Sequence, residues 1–312
     1  MIKKHKVAVL YGGWSNERSV SLSSGEMVLK ALLSRAYEAV AIDVTRDLKT
    51  WLSEIERFKP DVVFNALHGQ GGEDGTVQAI LDVLEIPYTH SGRLASAMAM
   101  DKHLTKQLVQ DHGVRVAKGK MMVIKDLDHD PIPRPYVVKP NQEGSSVGVF
   151  IMKHGDNRDI RTEWRYGETA MIEEYIEGRE LTVAVMQAAN DVAKALTVTE
   201  IVAHKDFYNF EAKYATGGSS HIVPADIPHN IFEEAKKMAV IAHDVMGCKG
   251  VSRSDFRYDE RKAGLEGLYF LEINNQPGMT PTSLVPEQAE YCGMSYADLV
   301  EWMVENATVH RS

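Results

Sequence analysis

Cysteine is nearly absent. The chain has two, Cys248 and Cys292, and no CxxC pair. That excludes a disulfide framework or a structural zinc site built on them, and both are expected to be buried small hydrophobes. Long hydrophobic runs are missing too. The longest, Val7 to Tyr11 and Met238 to Ala242, are five residues, against the roughly 20 that a bilayer span requires. Lys3, Lys4 and Lys6 surround the start of the first run, but it is too short for a signal peptide and reads as a strand. A cytoplasmic location is therefore expected, and the Asn306-Ala-Thr308 sequon loses its meaning. There is no basic excess: 35 basic and 44 acidic residues leave −9, which argues against nucleic acid or an anionic membrane as a partner. The motifs GxGxxG, GxxxxGK[ST] and HExxH are also absent, which removes the commonest nucleotide and zinc signatures. What remains is an ordinary globular composition, 25% charged and 44% hydrophobic over 312 residues. That is enough for one large domain or several small ones, and it excludes disorder, collagen and coiled coil.

Strand and helix patterns alternate at the start. Lys6 to Tyr11 reads as a strand ending in Gly12-Gly13, with Ser15 and Asn16 placed to cap a helix carrying Met27, Val28, Ala31 and Leu32. Strands at Ala39 to Val44 and Asp61 to Leu67, and helices at Trp51 to Phe58 and Thr76 to Leu84, continue the alternation. This predicts a parallel sheet with ligand groups in the loops at its strand ends. One helix is expected from Leu94 to Asp111, then a surface loop over Asp126 to Pro135 and a strand over Tyr136 to Pro140. After Glu180, short strands are expected, then a helix from Ile231 to Met246, paired strands Gly250 to Tyr258 and Leu268 to Asn274, and a last helix from Tyr296 to Glu305.

Two segments carry chemistry. In Lys139-Pro-Asn-Gln-Glu-Gly-Ser-Ser-Val-Gly148 a lysine ends an apolar strand and a small-residue loop follows. Such a loop can bring backbone N–H groups close to a polyphosphate while the lysine supplies a point charge. A plain hairpin with a surface lysine is the alternative. In the second, Arg253-x-Asp255 and Glu272-x-Asn274 lie on strands where alternate residues share a face. If the strands pair, Asp255, Glu272 and Asn274 converge as hard oxygen donors suited to Mg²⁺. A salt bridge on a solvated face is the alternative, but acids ending the core strand Leu268 to Leu271 are costly unless paired. Together the two segments suggest ATP. The following Asn275-Gln-Pro-Gly-Met-Thr280 offers the Gly278 N–H as an oxyanion donor beside Arg253, which points to carboxylate activation.

The chain resembles the ATP-grasp superfamily and, within it, the D-alanine–D-alanine ligase family. The resemblance runs from about Lys6 to Trp302. It is carried by Tyr11-Gly-Gly-Trp-Ser-Asn-Glu-Arg-Ser-Val-Ser21, Ala66-Leu-His-Gly-Gln-Gly-Gly-Glu-Asp-Gly75 and Met100-Asp-Lys102. It continues through the 139–148 loop, Phe207-Tyr-Asn-Phe-Glu-Ala-Lys-Tyr214, Gly247-Cys-Lys-Gly250, Glu272-Ile-Asn-Asn-Gln-Pro-Gly-Met-Thr280 and Ser283-Leu-Val-Pro286. It implies an α/β and α+β fold: an N-terminal parallel α/β unit, residues 1–95, then ATP-grasp lobes at 96–180 and 181–312. It also implies that ATP phosphorylates the carboxylate of one D-alanine, that the amine of a second displaces the phosphate, and that the dipeptide feeds peptidoglycan synthesis. Mg²⁺ or Mn²⁺, two ions, and a homodimer are implied with it.

The same resemblance assigns residues. Glu17 and His68 would hold the first D-alanine, and Ser283 and Leu284 the carboxylate of the second. Arg253 and Gly278 would steady the oxyanion. Glu17, Ser145 and Tyr214 would form a triad closing the loop Phe207 to Tyr214 over the site. Lys102, Lys139 and Lys213 would meet the phosphates. Glu143, Ser146, Glu173, Tyr175, Ile176, Glu180, Phe207 and Phe270 would complete the ATP site, and Asp255, Glu272 and Asn274 would bind metal. Tyr214 favours an amine over D-lactate as second substrate. Three departures stand out: Trp14 after the double glycine, Val251-Ser252 before Arg253, and Asn275-Gln276 in place of a Thr-Ser-like pair. Another ATP-grasp carboxylate–amine or D-alanine–D-lactate ligase, or a non-catalytic nucleotide-binding regulator, is the alternative; intact Glu17, Arg253, Asp255, Glu272 and Asn274 speak against the regulator.

Overall fold

A computed structural model describes residues 4–145, 147–203 and 218–310. The N-terminal sheet is parallel, with β1 (Lys6–Gly12) between β2 (Glu38–Val44) and β3 (Val62–Asn65). Its apolar run follows from having both faces covered. Val7 and Val9 pack with Val28 and Leu32 of α1 (Arg18–Ser34), while Ala8 and Leu10 turn the other way onto Trp51 and Ile55 of α2 (Leu48–Phe58). α3 (Thr76–Val83) follows the glycine-rich loop.

The middle of the chain forms an antiparallel sheet in the order β4 (Gly119–Val123), β7 (Thr169–Glu174), β5 (Tyr136–Lys139), β6 (Phe150–Met152). A second antiparallel sheet has the order β10 (Ser219–Ile222), β9 (Lys194–Ala203), β8 (Arg179–Gln187), β11 (Gly250–Tyr258), β12 (Leu268–Asn274). Between β6 and β7 lies α6 (Ile160–Glu163). Helix α7 (His229–Val245) lays Ile231, Ala235, Met238, Ala239 and Ala242, one helical stripe, on Leu181, Val183, Phe256 and Phe270 of this sheet. α8 (Leu284–Tyr291) and α9 (Tyr296–Glu305) end the fold. Leu299, Val300, Met303 and Val304 of α9 reach back to the Val7 and Val9 face of β1. Among the described residues no helix is long and apolar enough to cross a membrane.

Three expectations need correction. The helix expected over Leu94 to Asp111 is two, α4 (Arg93–Met100) and α5 (Lys102–Asp111). Asp101 is extended between them, and its carboxylate accepts the Leu104 N–H at 2.9 Å, capping α5. Ser15 and Asn16 do not cap α1: Glu17 occupies that position with no side-chain cap bond, and the Ser15 hydroxyl instead donates to His68 O at 2.6 Å. Cys248 is buried as expected but Cys292 is exposed, because it follows the short α8 at the surface.

Candidate active site

The loops at the strand ends converge on two adjoining clefts. The first is lined by Glu17, His68, Glu73, Ser145, Arg253, Asn274, Gly278, Ser283 and Leu284. The second is lined by Lys139, Val149, Glu173, Tyr175, Ile176, Glu180 and Arg257. Lys102, Glu143, Asp255 and Glu272 line both. The seam between the clefts is thus built of two carboxylates, a lysine and the start of the glycine loop.

Strand pairing sets the seam. Asp255 of β11 stands directly opposite Glu272 of β12, and Arg253 opposite Asn274. Like charges facing across a pair repel and call for cations. In this structure Arg253 Nε and NH2 donate to the two oxygens of Asp255, each at 2.9 Å, and Thr182 Oγ1 donates to Asp255 Oδ1 at 2.6 Å. Lys102 Nζ lies 3.3 Å from Glu272 Oε2 and donates to Glu143 O at 2.7 Å. The salt bridge is therefore real, but it runs along β11 and faces a cleft. No group of three or more His, Cys, Asp or Glu side chains is placed to hold a metal among the described residues. The oxygen donors here are two carboxylates and the amide of Asn274, whose Oδ1 accepts the Gln276 N–H at 2.9 Å; their chemistry, hard oxygen, fits a Mg²⁺ shared with phosphates.

In the first cleft, Ser145 holds a left-handed φ of 52°, and its hydroxyl donates to Glu17 Oε1. A non-glycine residue in that region is strained, and strain of this kind gathers at functional sites. His68 is 5% exposed, with Nδ1 3.1 Å from Glu73 Oε1 and Nε2 3.0 Å from Ser24 Oγ. Burial pushes the Glu73 carboxyl up from its ordinary value, against the pull of His68. Ser24 also accepts the Met279 N–H at 3.3 Å, tying the His68 loop to the segment after β12. There Gly278 passes so close to Ser283 that a Cβ would sit 2.8 Å from its Oγ. Ser283 and Leu284 begin α8, whose first N–H groups suit an anion.

In the second cleft, Glu180 faces Arg257 across β8 and β11, with an oxygen 3.6 Å from NH1. Arg257 also lies 6.0 Å from the centre of the Tyr175 ring and donates to Gly178 O at 3.1 Å. The Tyr175 N–H donates to Pro135 O at 3.2 Å. Lys139 and Glu173 pair at 2.5 Å. Phe270 lies apart from both clefts, fully buried and edge-on to Phe256 at 5.8 Å. Ser146, Phe207, Lys213 and Tyr214 fall outside the described residues.

Several participants escaped the sequence reading. Ser24 and Thr182 touch His68 and Asp255 only through tertiary contact, Glu73 reaches His68 from five residues along the same loop, and Lys106 meets Glu173 across α5 and β7. Thr182 left no signal, because its pairing with Asp255 exists only once β8 lies beside β11. The departure at Asn275-Gln276 has its own partners. Asn275 Nδ2 donates to Ser96 Oγ at 2.8 Å, and Gln276 Oε1 accepts from Asn65 at 2.8 Å and Gln78 at 3.2 Å.

Residues 117–305 match the family model for the D-ala D-ala ligase C-terminus, and residues 6–60 and 53–91 match that for its N-terminus. The chain is 51% identical over 307 residues to a D-alanine–D-alanine ligase of Gluconobacter oxydans, covering 97% of this chain and 99% of the relative. It is 52% identical over 305 residues to that of Acidiphilium cryptum, covering 97% and 98%. Its fold is similar to the crystal structure of the Bacillus anthracis D-alanine–D-alanine ligase, with a TM-score of 0.81, 29% identity and 96% of each chain covered. The same ligase complexed with ATP gives a TM-score of 0.79 at 27% identity over 97% of each chain. Two family models that together span most of the chain, and relatives about half identical over nearly its whole length, show that the chain belongs to the D-alanine–D-alanine ligase family.

Proposed function

We propose that the protein joins two D-alanines to D-alanyl-D-alanine at the expense of ATP, releasing ADP and phosphate, for peptidoglycan synthesis. The observation that carries the site assignment is the shared seam: Lys102, Asp255 and Glu272 border both clefts. The nucleoside fits the apolar and acidic second cleft, with Glu180 near the ribose and Tyr175 and Ile176 near the base. The phosphates reach the seam, where Lys102 and Lys139 offset their charge. Asp255, Glu272 and Asn274 would hold Mg²⁺ or Mn²⁺, which when bound neutralises phosphate charge.

Glu17 receives the ammonium of the first D-alanine and aims its carboxylate at the γ-phosphorus. A carboxylate oxygen bonds to phosphorus as the bond from phosphorus to the ADP oxygen breaks. This step needs positioning and charge neutralisation more than covalent help. The second D-alanine places its carboxylate at Ser283 and the start of α8. Its neutral amine attacks the acyl carbon, Arg253 and the Gly278 N–H steady the oxyanion, and the carbon–oxygen bond to phosphate breaks as phosphate leaves with the amine's spare proton. Three functional units, 1–95, 96–180 and 181–312, a homodimer and a cytoplasmic setting belong to the same proposal. ATP carrying ¹⁸O in the β,γ bridge tests the acyl phosphate. D-alanine should drive scrambling of that label into the β non-bridging positions; turnover without scrambling under any D-alanine concentration argues for a different first step.

A further inference from the structure

Lys106 is a buried cation that neither cleft uses. It lies on the inner face of α5 with its side chain 4% exposed, and its Nζ bonds Glu173 Oε2. Glu173 is equally buried, and its other oxygen, Oε1, accepts from Lys139 at 2.5 Å. Lys139 and Glu173 line the nucleotide cleft; Lys106 stands behind them. Burial pushes the Glu173 carboxyl up, but Lys106 and Lys139 outweigh it and hold it down to about 2, so it stays an anion.

Two ammoniums therefore share one buried carboxylate, one more cation than Glu173 needs. A buried ion that loses its only partner is strongly penalised. Lys139 is the partner that faces the cleft, so it is the one a phosphate can draw away.

We propose that Lys106 is a positioning residue: it stays on Glu173 as a standing counter-ion, so that Lys139 can transfer to the nucleotide's phosphates without stranding a buried anion. The proposal rests on the ATP reading above and deepens it. Without Lys106, Lys139 is held at Glu173 and nucleotide binding weakens, while the first cleft is untouched. A merely structural lysine would lower stability and leave the folded protein's affinity alone.

The test is calorimetric titration of the full chain with the magnesium complex of adenylyl imidodiphosphate, a non-hydrolysable ATP analogue. Four proteins are compared: wild type, Lys106→Met, Glu173→Gln and the double variant. The expected result for Lys106→Met is about tenfold or more weaker binding, as for one unpaired buried charge, with KM for D-alanine unchanged within about twofold. The double variant should bind within a few-fold of Glu173→Gln alone, because Glu173 is the carboxylate that Lys106 bonds. Analogue affinity of Lys106→Met equal to wild type overturns the proposal. If Lys106→Met does not fold, the double variant, which leaves no carboxylate stranded, decides: binding about tenfold weaker than Glu173→Gln overturns it. Wild type failing to bind the analogue would instead remove the ATP reading itself.

Discussion

Glu17 shows how much one residue's role depends on company. In the sequence it is an acid before a helix; in the fold it accepts from Ser145, a residue 128 positions away, beside the seam. Glu17→Gln removes the charge that an ammonium needs while keeping the shape. KM for D-alanine should rise about tenfold or more, on the scale of one lost charged hydrogen bond, while KM for ATP stays within twofold. An equal rise in both constants would place Glu17 elsewhere in the cycle. Pairing of Asp255 with Glu272 was legible because two strands with alternating polar ends have few registers. Ser24 was not, since nothing on a helix face announces an imidazole 44 positions away, and Glu73 was not, since a glycine loop has no fixed periodicity to show that its acid turns back onto His68.

His243 carries a pH prediction. It is fully buried, with Nδ1 2.7 Å from Ser252 Oγ and Nε2 3.3 Å from Gln187 Oε1. Burial, with Lys249 pulling the same way, pushes its pKa from 6.5 down to about 4. Between those values the unfolded chain binds the proton and the folded one does not, so stability falls as pH drops. The loss from this group is about 3 kcal/mol in full, from pH 6.5 toward 4. Urea unfolding across that window should be steeper in pH for wild type than for His243→Gln; parallel slopes would exclude the assignment.

At the level of elements, regular periodicity was readable and interruptions were not. β11, β12 and α9 have the bounds the pattern predicts, because the strands alternate and Ser295 with Asp298 caps α9 in a reciprocal box. The break at Asp101 was hidden because no glycine or proline marks it between Leu94 and Asp111. Its effect is functional: it starts α5 with Lys102 aimed at the seam. Gly25 shows local preference losing to packing. In mid-helix, Gly→Ala gains about 1 kcal/mol from propensity. Here a Cβ would lie 2.5 Å from the Tyr11 Cβ, which is anchored to β1. Overpacking of that kind costs about 1–3 kcal/mol, so Gly25→Ala should lower the unfolding midpoint in urea. A higher midpoint would mean α1 can slide away from β1 freely.

For the whole molecule, the parallel start was legible from the alternation of strand and helix, and so was the pairing of the last two strands. The strand orders were not, since β7 inserts between β4 and β5 and β8 joins β11 only in three dimensions. Nor was the polar joint between the parallel sheet and the strand bearing Glu272. There Gln276, 1% exposed, accepts from Asn65 and Gln78 and donates to Leu67 O at 2.5 Å. Gln276→Ala would leave a buried carbonyl unpaired, at a cost of about 1–3 kcal/mol. Thermal unfolding should move down accordingly, and an unchanged midpoint would show that the joint is not stressed.

If one seam couples ATP cleavage to the joining of two D-alanines, phosphate release and product formation must go together. Both are measured from Mg-ATP with D-alanine, with L-alanine, and with D-alanine plus D-lactate, each product identified by mass. Release is expected with D-alanine but not with L-alanine alone, with one phosphate for each D-alanyl-D-alanine and no depsipeptide at neutral pH. Phosphate without dipeptide, or D-alanyl-D-lactate as the main product, would rule this coupling out.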